Sequence, residues 1–311
     1  MDVPTMVETS RTRRRAILCV LGSSASFTVA AALVKFAAPH VPLSEIVLFR
    51  SLVAALCLLP LLRGQGGLAA LRTRRPVGHV LRLAAGLAGM YGSFYGYAML
   101  PLATVTALGF SMPIFLALLS FPLLGERIRP GRALAVGAGL AGVLIVMRPW
   151  QAGPQGGADL LLGPSAVVMA GVACWALAMI SIRRMGQAGE RNVTIVLLFS
   201  LGSSVVAGLL CVPVWVTPDS STLLALLGIG AVSALAQILM TEGYRSGEAT
   251  MLAPFEYGAI LYTVLLGWLI WAEVPGGWEF TGIAVLVASG LFAWRMEGRA
   301  APAVAPRPAR L

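Results

Sequence analysis

The sequence predicts an all-α integral membrane protein with ten transmembrane helices. They form two inverted five-helix repeats, and both termini lie in the cytoplasm. Composition, apolar runs and the distribution of arginine support this prediction. The 311 residues are 58% hydrophobic and 12% charged, with a mean hydropathy of +0.85. Soluble domains carry about 25% charged residues, so this chain has too little polar surface for a soluble fold of its size.

Ten apolar runs supply the predicted helices. Each is close to the length of about 20 residues that an α-helix needs to cross the hydrocarbon core of a bilayer. In chain order, predicted helices 1 to 10 span residues 16–36, 44–62, 79–99, 102–123, 131–148, 160–182, 193–215, 222–242, 249–271 and 278–297.

Basic residues are distributed unevenly between the two sides that these helices define. With the amino terminus in the cytoplasm, all but three of the 23 lysines and arginines fall on the cytoplasmic side, Arg82 among them. The exceptions are Lys35, Arg50 and Arg148, and Lys35 is predicted to extend to the outer headgroups. The bias follows the positive-inside rule. We therefore interpret the net charge of +10 as the charge that anchors the cytoplasmic side to the membrane, and we predict no nucleic-acid partner.

The two halves of the chain match at one offset. A fixed offset near half the length indicates a duplication. The pairs, 147 or 148 residues apart, are Gly96-Tyr97 with Gly243-Tyr244, Glu126 with Glu273, Gly142 with Gly290, Phe27 with Trp175, and Lys35 with Arg183.

Because each half has an odd number of helices, the second copy should be inverted. The loop with Glu126 carries three arginines and the loop with Glu273 carries none, as inversion requires. Inverted repeats are a hallmark of secondary transporters. The predicted organisation is a basic cytoplasmic tail at 1–15, a first repeat at 16–148, a periplasmic linker at 149–159, a second repeat at 160–297 and a disordered cytoplasmic tail at 298–311.

Several stretches resemble the drug/metabolite transporter superfamily, specifically its EamA-type ten-helix branch. They are Pro42-Leu-Ser-Glu-Ile-Val-Leu-Phe-Arg50, Tyr97-Ala-Met-Leu-Pro-Leu-Ala103, Leu124-Gly-Glu-Arg127, Ala253-Pro-Phe-Glu-Tyr257 and Trp271-Ala-Glu273. The resemblance implies that each half is an EamA-type repeat. It also implies a cytoplasmic-membrane carrier of small organic solutes, with wording nearest to members that carry amino acids, S-adenosylmethionine or riboflavin.

Three ionisable residues inside the predicted helices are the first site candidates. Charged groups at membrane depth cost about 3 kcal/mol on insertion scales, so they usually face a cavity or a partner. Glu256 and Arg50 each lie roughly 10 Å deep, and Glu45 is shallower. Glu256 is interpreted as a ligand for a substrate cation or as a proton-coupling carboxylate, with a static ion pair as the alternative. Arg50 would pair with Glu45 or Glu256, or would hold a substrate carboxylate or phosphate.

Aromatic and small polar side chains form a second group of candidates. Gly92 and Gly96 form a GxxxG pair, which indicates close helix packing. Phe27 and Trp175 occupy matching repeat positions and would cover the site from both halves, with plain core packing as the alternative. The other substrate-binding or coupling candidates are polar or aromatic groups at membrane depth: Tyr91, Tyr95, Tyr257, Ser111 and Gln237.

Two prolines are hinge candidates because each removes a backbone hydrogen bond from its helix. They are Pro113 in predicted helix 4 and Pro254 in predicted helix 9. The 147-residue offset places the counterpart of Pro113 at Ile260, so the two prolines are not symmetric.

The predicted function is secondary-active transport of a small organic metabolite across the bacterial inner membrane by alternating access. Protons are the candidate coupling ion, and no cofactor or metal is predicted. The sequence has no phosphate-binding loop and no H-E-x-x-H or G-x-S-x-G motif, so we predict that the protein is not an enzyme. The alternatives are an integral-membrane enzyme that acts on lipid and a non-transporting scaffold or sensor subunit. Substrate identity, direction and oligomeric state stay open.

Overall fold

The computed structural model describes most of the chain. The described residues are 6–60, 73, 75–112, 114–116, 118–119, 130–148, 152–153, 156–157, 159–246 and 255–300. Both hinge candidates, Pro113 and Pro254, lie outside them, as does Glu126.

The described part of the chain is almost wholly helical, and each predicted apolar run overlaps at least one helical segment. Besides the helices named next, residues 112, 114–116, 118–119 and 255–256 are helical. The helices are α1 (Met6–Ala37), α2 (Leu43–Leu58), α3 (Pro76–Met99), α4 (Leu102–Gly109), α5 (Pro130–Met147), α6 (Asp159–Gln187), α7 (Asn192–Cys211), α8 (Ser220–Ser246), α9 (Gly258–Trp271) and α10 (Gly277–Ala300). A 3₁₀ turn at Val212–Val214 extends α7, and β1 (Ala152–Gly153) pairs antiparallel with β2 (Gly156–Gly157). The helix α10 continues to Ala300, so the first residues of the tail predicted to be disordered are helical.

Helix length and surface chemistry identify a multi-pass membrane protein. Within the described residues, four segments are long and apolar enough to cross a bilayer: Arg14–Ala37, Leu162–Gly186, Thr194–Val214 and Ser220–Met240. Shorter apolar segments are Leu102–Leu116, Val136–Met147, Gly258–Trp271 and Gly277–Phe292. Leu209, Leu224 and Leu261 are exposed by 70%, 72% and 72%. Lipid makes such exposure favourable, since its tails are as apolar as leucine.

The first and eighth helices pack antiparallel along most of their length. The Ser23 hydroxyl donates a hydrogen bond to the carbonyl of Ala236 at 2.9 Å. A Cβ added to Gly243 would lie 2.9 Å from Val20 Cγ2. The amino-terminal half of α1 therefore lies on the carboxy-terminal half of α8.

The helices α3 and α6 also pack antiparallel, along a seam of glycines. A Cβ added to Gly92 would lie 2.8 Å from the Cα of Gly171, and one added to Gly96 would lie 2.4 Å from Val168 Cγ2. At the other end of the seam, Gly78 lies against Met185. The backbones approach this closely because the seam lacks side chains, so the predicted role of the GxxxG pair in close packing is confirmed.

These two interfaces are equivalent under the repeat. The 147-residue offset relates α1 to α6 and α3 to α8, so the α1–α8 interface maps onto the α6–α3 interface. The pair α5–α10 maps onto itself and is also antiparallel. At one end Arg148 Nη2 lies 3.6 Å from Glu279 Oε1, and farther along the pair Gly139 faces Ser289.

The helix α9 runs parallel to α1, which defines two ends of the bundle. Gly258 lies beside Leu21, and Trp271 lies beside Lys35. We call the end with the last turns of α1 and α9 the Lys35 end, and the opposite end, with Arg15, the Arg15 end.

The two largest apolar clusters of the described residues make up most of the core. One joins α1, α2, α3, α7 and α8 through residues such as Ile46, Phe94 and Leu226. The other joins α4, α5, α6 and α10 through residues such as Leu108 and Leu286. Each cluster contains helices from both halves, so the halves share one core.

Candidate functional site

A cavity of about 170 Å³ lies between helices from both halves. It is bounded by α1, α4, α8, α9 and the last turns of α3. Its lining residues are Val20, Ser23, Ser24, Phe27, Thr28, Ala31, Tyr97, Thr106, Met240, Glu256, Ala259 and Thr263. Half of these lining residues come from α1, where they recur at spacings of three or four residues, as residues on one side of a helix do.

Glu256 provides the carboxylate of the cavity. It lies in helical residues 255–256, just before α9, and is exposed towards the cavity. Tyr257 forms a turn between these residues and α9, which begins at Gly258, so predicted helix 9 is interrupted directly after Glu256.

Hydroxyl groups in the cavity lining provide hydrogen-bond acceptors in addition to the Glu256 carboxylate. Thr28 Oγ1 donates to the carbonyl of Ser24 at 2.9 Å, and Thr263 Oγ1 donates to the carbonyl of Ala259 at 3.0 Å. Because each proton is used within its own helix, the oxygen lone pairs are what the side chains offer to a ligand. The cavity is therefore complementary to a cation or to N–H donors.

Two aromatic residues at equivalent repeat positions meet where their helices are interrupted. Phe110 ends α4 with φ −68° and ψ −4°, and Tyr257 precedes α9 with φ −64° and ψ −13°. The two rings have centroids 4.7 Å apart. The residues are 147 apart in sequence, which is the repeat offset. The interruptions are thus symmetric, although the two candidate prolines are not.

An ion pair lies beyond the cavity at the Lys35 end. Lys35 pairs with Glu273, and its ammonium also donates to the carbonyl of Leu100 at 2.8 Å. The second carboxylate oxygen of Glu273 accepts from the backbone N–H of Leu102 at 3.2 Å. The prediction that Lys35 reaches the headgroups is wrong, because the pair holds its side chain at 11% exposure. Lys35 is one turn past Ala31, so the pair lies one turn beyond the cavity lining.

Two arginines lie in a different part of the bundle. Arg50 Nη1 lies 2.9 Å from Met90 Sδ, and the structure pairs Arg50 with neither Glu45 nor Glu256. Arg82 is only 7% exposed. The sequence counts Arg82 with the cytoplasmic side, and the structure shows that its side chain is buried in the bundle. Its place three residues inside predicted helix 3 was the signal for burial.

The structure separates the other acidic and aromatic candidates. Glu45 is fully buried at the Lys35 end, where it accepts from the backbone N–H of Val216 at 3.4 Å. Phe27 lines the cavity. Trp175 instead packs on Gly89, where an added Cβ would lie 3.1 Å from Trp175 Cβ. Phe27 and Trp175 thus occupy two different places.

The remaining candidates lie around the cavity rather than in its lining. The buried hydroxyl of Ser111 donates to the carbonyl of Leu108 at 2.5 Å. Tyr91 and Tyr95 are half-buried on α3, and Gln237 is half-buried on α8. Sequence reasoning missed the hydroxyl residues of α1, which its helical periodicity would have shown on one face.

A helical bundle with lipid-exposed leucines and a polar cavity between two related halves defines a membrane transporter. The chain belongs to the EamA-like transporter family, whose model matches residues 14–148 and again residues 164–295. The family domain is thus present as two repeats. Family membership points away from enzymatic function.

Named relatives are transporters of small organic solutes. The chain is 31% identical over 233 residues to a riboflavin transporter of Rhizobium johnstonii, covering 75% of each protein. It is 31% identical over 274 residues to the pseudopaline exporter CntI of Pseudomonas aeruginosa, covering 88% of this chain and 93% of the relative. It is 24% identical over 288 residues to an S-adenosylmethionine uptake transporter of Rickettsia conorii, covering 91% and 92%.

One solved structure has the same fold. It superposes with a TM-score of 0.63 at 20% sequence identity and covers 91% of this chain and 98% of the other.

Proposed function

We propose that the protein is a secondary-active carrier of a small organic metabolite in the bacterial inner membrane. In this proposal ten transmembrane helices form two inverted repeats at 16–148 and 160–297, joined by a periplasmic linker, with both termini in the cytoplasm. The observation that carries the proposal is the Glu256 cavity between the halves, with the ion pair between Lys35 and Glu273 beyond it at the Lys35 end. The Arg15 end would face the cytoplasm.

Helix packing supports alternating access. The interfaces α1–α8 and α3–α6 are copies of each other, and the helices in each run antiparallel. When the halves of an inverted repeat exchange conformations, the open side is exchanged as well. The pair Phe110 and Tyr257 lies at equivalent interruptions of α4 and α9, where both halves can bend about one contact.

The cavity chemistry supports a substrate with a cationic or N–H-rich group. Glu256 would bind that group or would carry a proton during the cycle. Candidate transport modes are efflux of an amino acid or other metabolite and uptake of a cofactor-like solute such as riboflavin or S-adenosylmethionine. Relatives include both an exporter and an uptake transporter, so direction would follow the gradients that are coupled.

Transport into proteoliposomes tests the proposal. Labelled amino acids, riboflavin and S-adenosylmethionine would be supplied with and without an imposed pH gradient. We expect uptake of at least one class, with an initial rate that depends on the gradient. Glu256→Gln should remove that dependence because an amide cannot carry a proton.

Glu242→Gln is the matched control. Glu242 lies on α8 at the Arg15 end, where it pairs with Arg15 at 3.0 Å and is 31% exposed, outside the cavity lining. This substitution should leave the gradient dependence intact. If folded wild-type protein transports none of the three solute classes, the proposed carrier function is refuted. Gradient dependence that survives Glu256→Gln would refute coupling through Glu256 alone.

A further inference from the structure

The arginines of α2 and α3 reach the same face of α3. A Cβ added to Gly86 would lie 2.1 Å from Arg82 Nη1, so the Arg82 guanidinium lies over Gly86. Arg50 Nη1 contacts Met90, which is the next residue along that face. Four residues of helix rise about 6 Å, so the two cationic groups occupy successive turns.

Arg82 points in the opposite direction to a membrane-anchoring arginine. Helical side chains lean towards the amino terminus of their helix, and for Arg82 that is also the shorter way to the Arg15 end. The guanidinium instead extends one turn farther into the bundle, towards Gly86. It lies 3.9 Å from the ring centroid of Phe199 and 5.2 Å from that of Trp175. The Arg82 guanidinium has room at this position because Gly86 carries no side chain.

The charge of these arginines is not balanced within the described residues. The ion pairs there include Arg15 with Glu242, Lys35 with Glu273 and Arg148 with Glu279, and neither Arg50 nor Arg82 takes part in them. Arg82 Nε and Nη1 are buried without a hydrogen-bond partner, and the contact of Arg50 is a thioether sulfur, a weak acceptor. Arg50 as a whole residue is half-buried.

Such an arrangement is costly unless a negative group completes it. An unpaired buried charge is unfavourable, and a second charge of the same sign adds repulsion. A planar guanidinium offers paired N–H donors that match the geometry of a carboxylate or a phosphate. Two of them on successive turns can hold one such group between them.

We propose that Arg50 and Arg82 form an anion-binding site between α2, α3, α6 and α7, apart from the Glu256 cavity, which takes a carboxylate or phosphate group. This inference goes beyond the proposed transport function and does not depend on it. The negative group comes either from a soluble organic anion or from an anionic lipid headgroup.

Thermal unfolding of the purified protein in a neutral detergent tests the site. A ligand that binds only the folded state raises the melting temperature in proportion to the logarithm of its concentration over Kd. Benzoate and inorganic phosphate are the soluble probes, benzamide and benzylamine are matched neutral and cationic probes, and phosphatidylglycerol is the lipid probe. Ionic strength is kept constant with sodium chloride.

We expect benzoate or phosphate to stabilise the wild-type protein, and benzamide and benzylamine to have no effect. Arg82→Gln and Arg50→Gln should each weaken anion binding by about tenfold or more, the effect of losing charge-assisted hydrogen bonds. Arg295→Gln is the matched control at an exposed arginine and should bind as the wild type does. If phosphatidylglycerol alone stabilises, with the same dependence on Arg50 and Arg82, the site is supported and its occupant is a lipid.

A structural role for Arg82 gives a different result. If Arg82 only packs on Phe199, Arg82→Met should lower the melting temperature without ligand and leave the anion response unchanged. The proposal predicts that Arg82→Met keeps or raises the melting temperature without ligand and abolishes the response. If the variants fail to fold, the wild-type protein alone provides the test. The site is overturned if benzoate and benzamide raise the melting temperature equally, or if no anion raises it. Transport without an anion response would leave the carrier proposal standing, and an anion response without transport would leave this site standing.

Discussion

The ion pair between Lys35 and Glu273 permits a sharp test of what stabilises the Lys35 end of the bundle. It joins residues 238 apart in sequence and connects α1, the start of α4 and the loop after α9. The perturbation is a set of three variants: Lys35→Met, Glu273→Gln and the two combined. Methionine keeps the length of the lysine side chain, and glutamine keeps the shape of the glutamate.

The magnitude follows from burial. In soluble proteins, removing one partner of a buried ion pair typically costs about 3–5 kcal/mol, because the other charge is left uncompensated. The side chains here retain 11% and 21% exposure, so some solvation remains. We therefore expect each single substitution to cost about 2–4 kcal/mol. Removing both charges leaves no unpaired ion, so the double variant should recover to within about 1 kcal/mol of the wild type.

The assay is thermal unfolding in detergent, followed by tryptophan fluorescence. Each single variant should melt roughly 5 °C or more below the wild type, and the double variant should melt above both singles. The coupling energy of the cycle should be about 2 kcal/mol or more. Single variants within about 1 °C of the wild type, or effects that add in the double variant, would refute the reasoning.

Two further predictions concern helix interfaces. Gly92→Ala should destabilise the fold by about 1–3 kcal/mol, because the new Cβ would lie 2.8 Å from the Gly171 Cα and force α3 and α6 apart. Ser23→Ala should cost about 1 kcal/mol, because it removes the 2.9 Å hydrogen bond to Ala236 that joins α1 to α8 and leaves a buried carbonyl with one partner fewer. Both changes are measured as shifts of the unfolding midpoint.

Each of these predictions has a control, on the partner helix α6 for Gly92 and on the same helix α1 for Ser23. Gly163→Ala lies on α6 where an added Cβ would meet nothing within 4 Å, so it should leave stability unchanged. Ser26→Ala removes only a hydrogen bond to Gly22 within α1, so it should cost less than Ser23→Ala. Equal effects for Gly92→Ala and Gly163→Ala would contradict the glycine seam. An effect of Ser26→Ala as large as that of Ser23→Ala would contradict the interhelical role of Ser23.

Much of the architecture could be predicted from the sequence. Hydropathy identifies a membrane protein, and the repeat offset indicates the duplication that the two family matches show. The GxxxG pair indicated the close packing that Gly92 makes. These features depend on local composition and spacing, which a single chain displays directly.

The site was predicted less well, because the rotation of each helix about its axis is hard to read in a membrane protein. Lipid and protein core are both apolar, so the hydrophobic pattern does not separate the face that looks inward from the face that looks outward. Glu256 lines the cavity, whereas Trp175 packs in the α3–α6 seam.

The sequence by itself determined the class of protein and the duplication, because these depend on composition, run length and a fixed offset, and its resemblance to known members indicated the family. Only the tertiary structure decided which side chains meet. Lys35 has a carboxylate partner instead of headgroups, Arg82 extends into the bundle, and Phe110 contacts its own repeat counterpart Tyr257. The physical reason is that each of these contacts joins helices far apart in the chain, and the packing of one helix on another sets the partner.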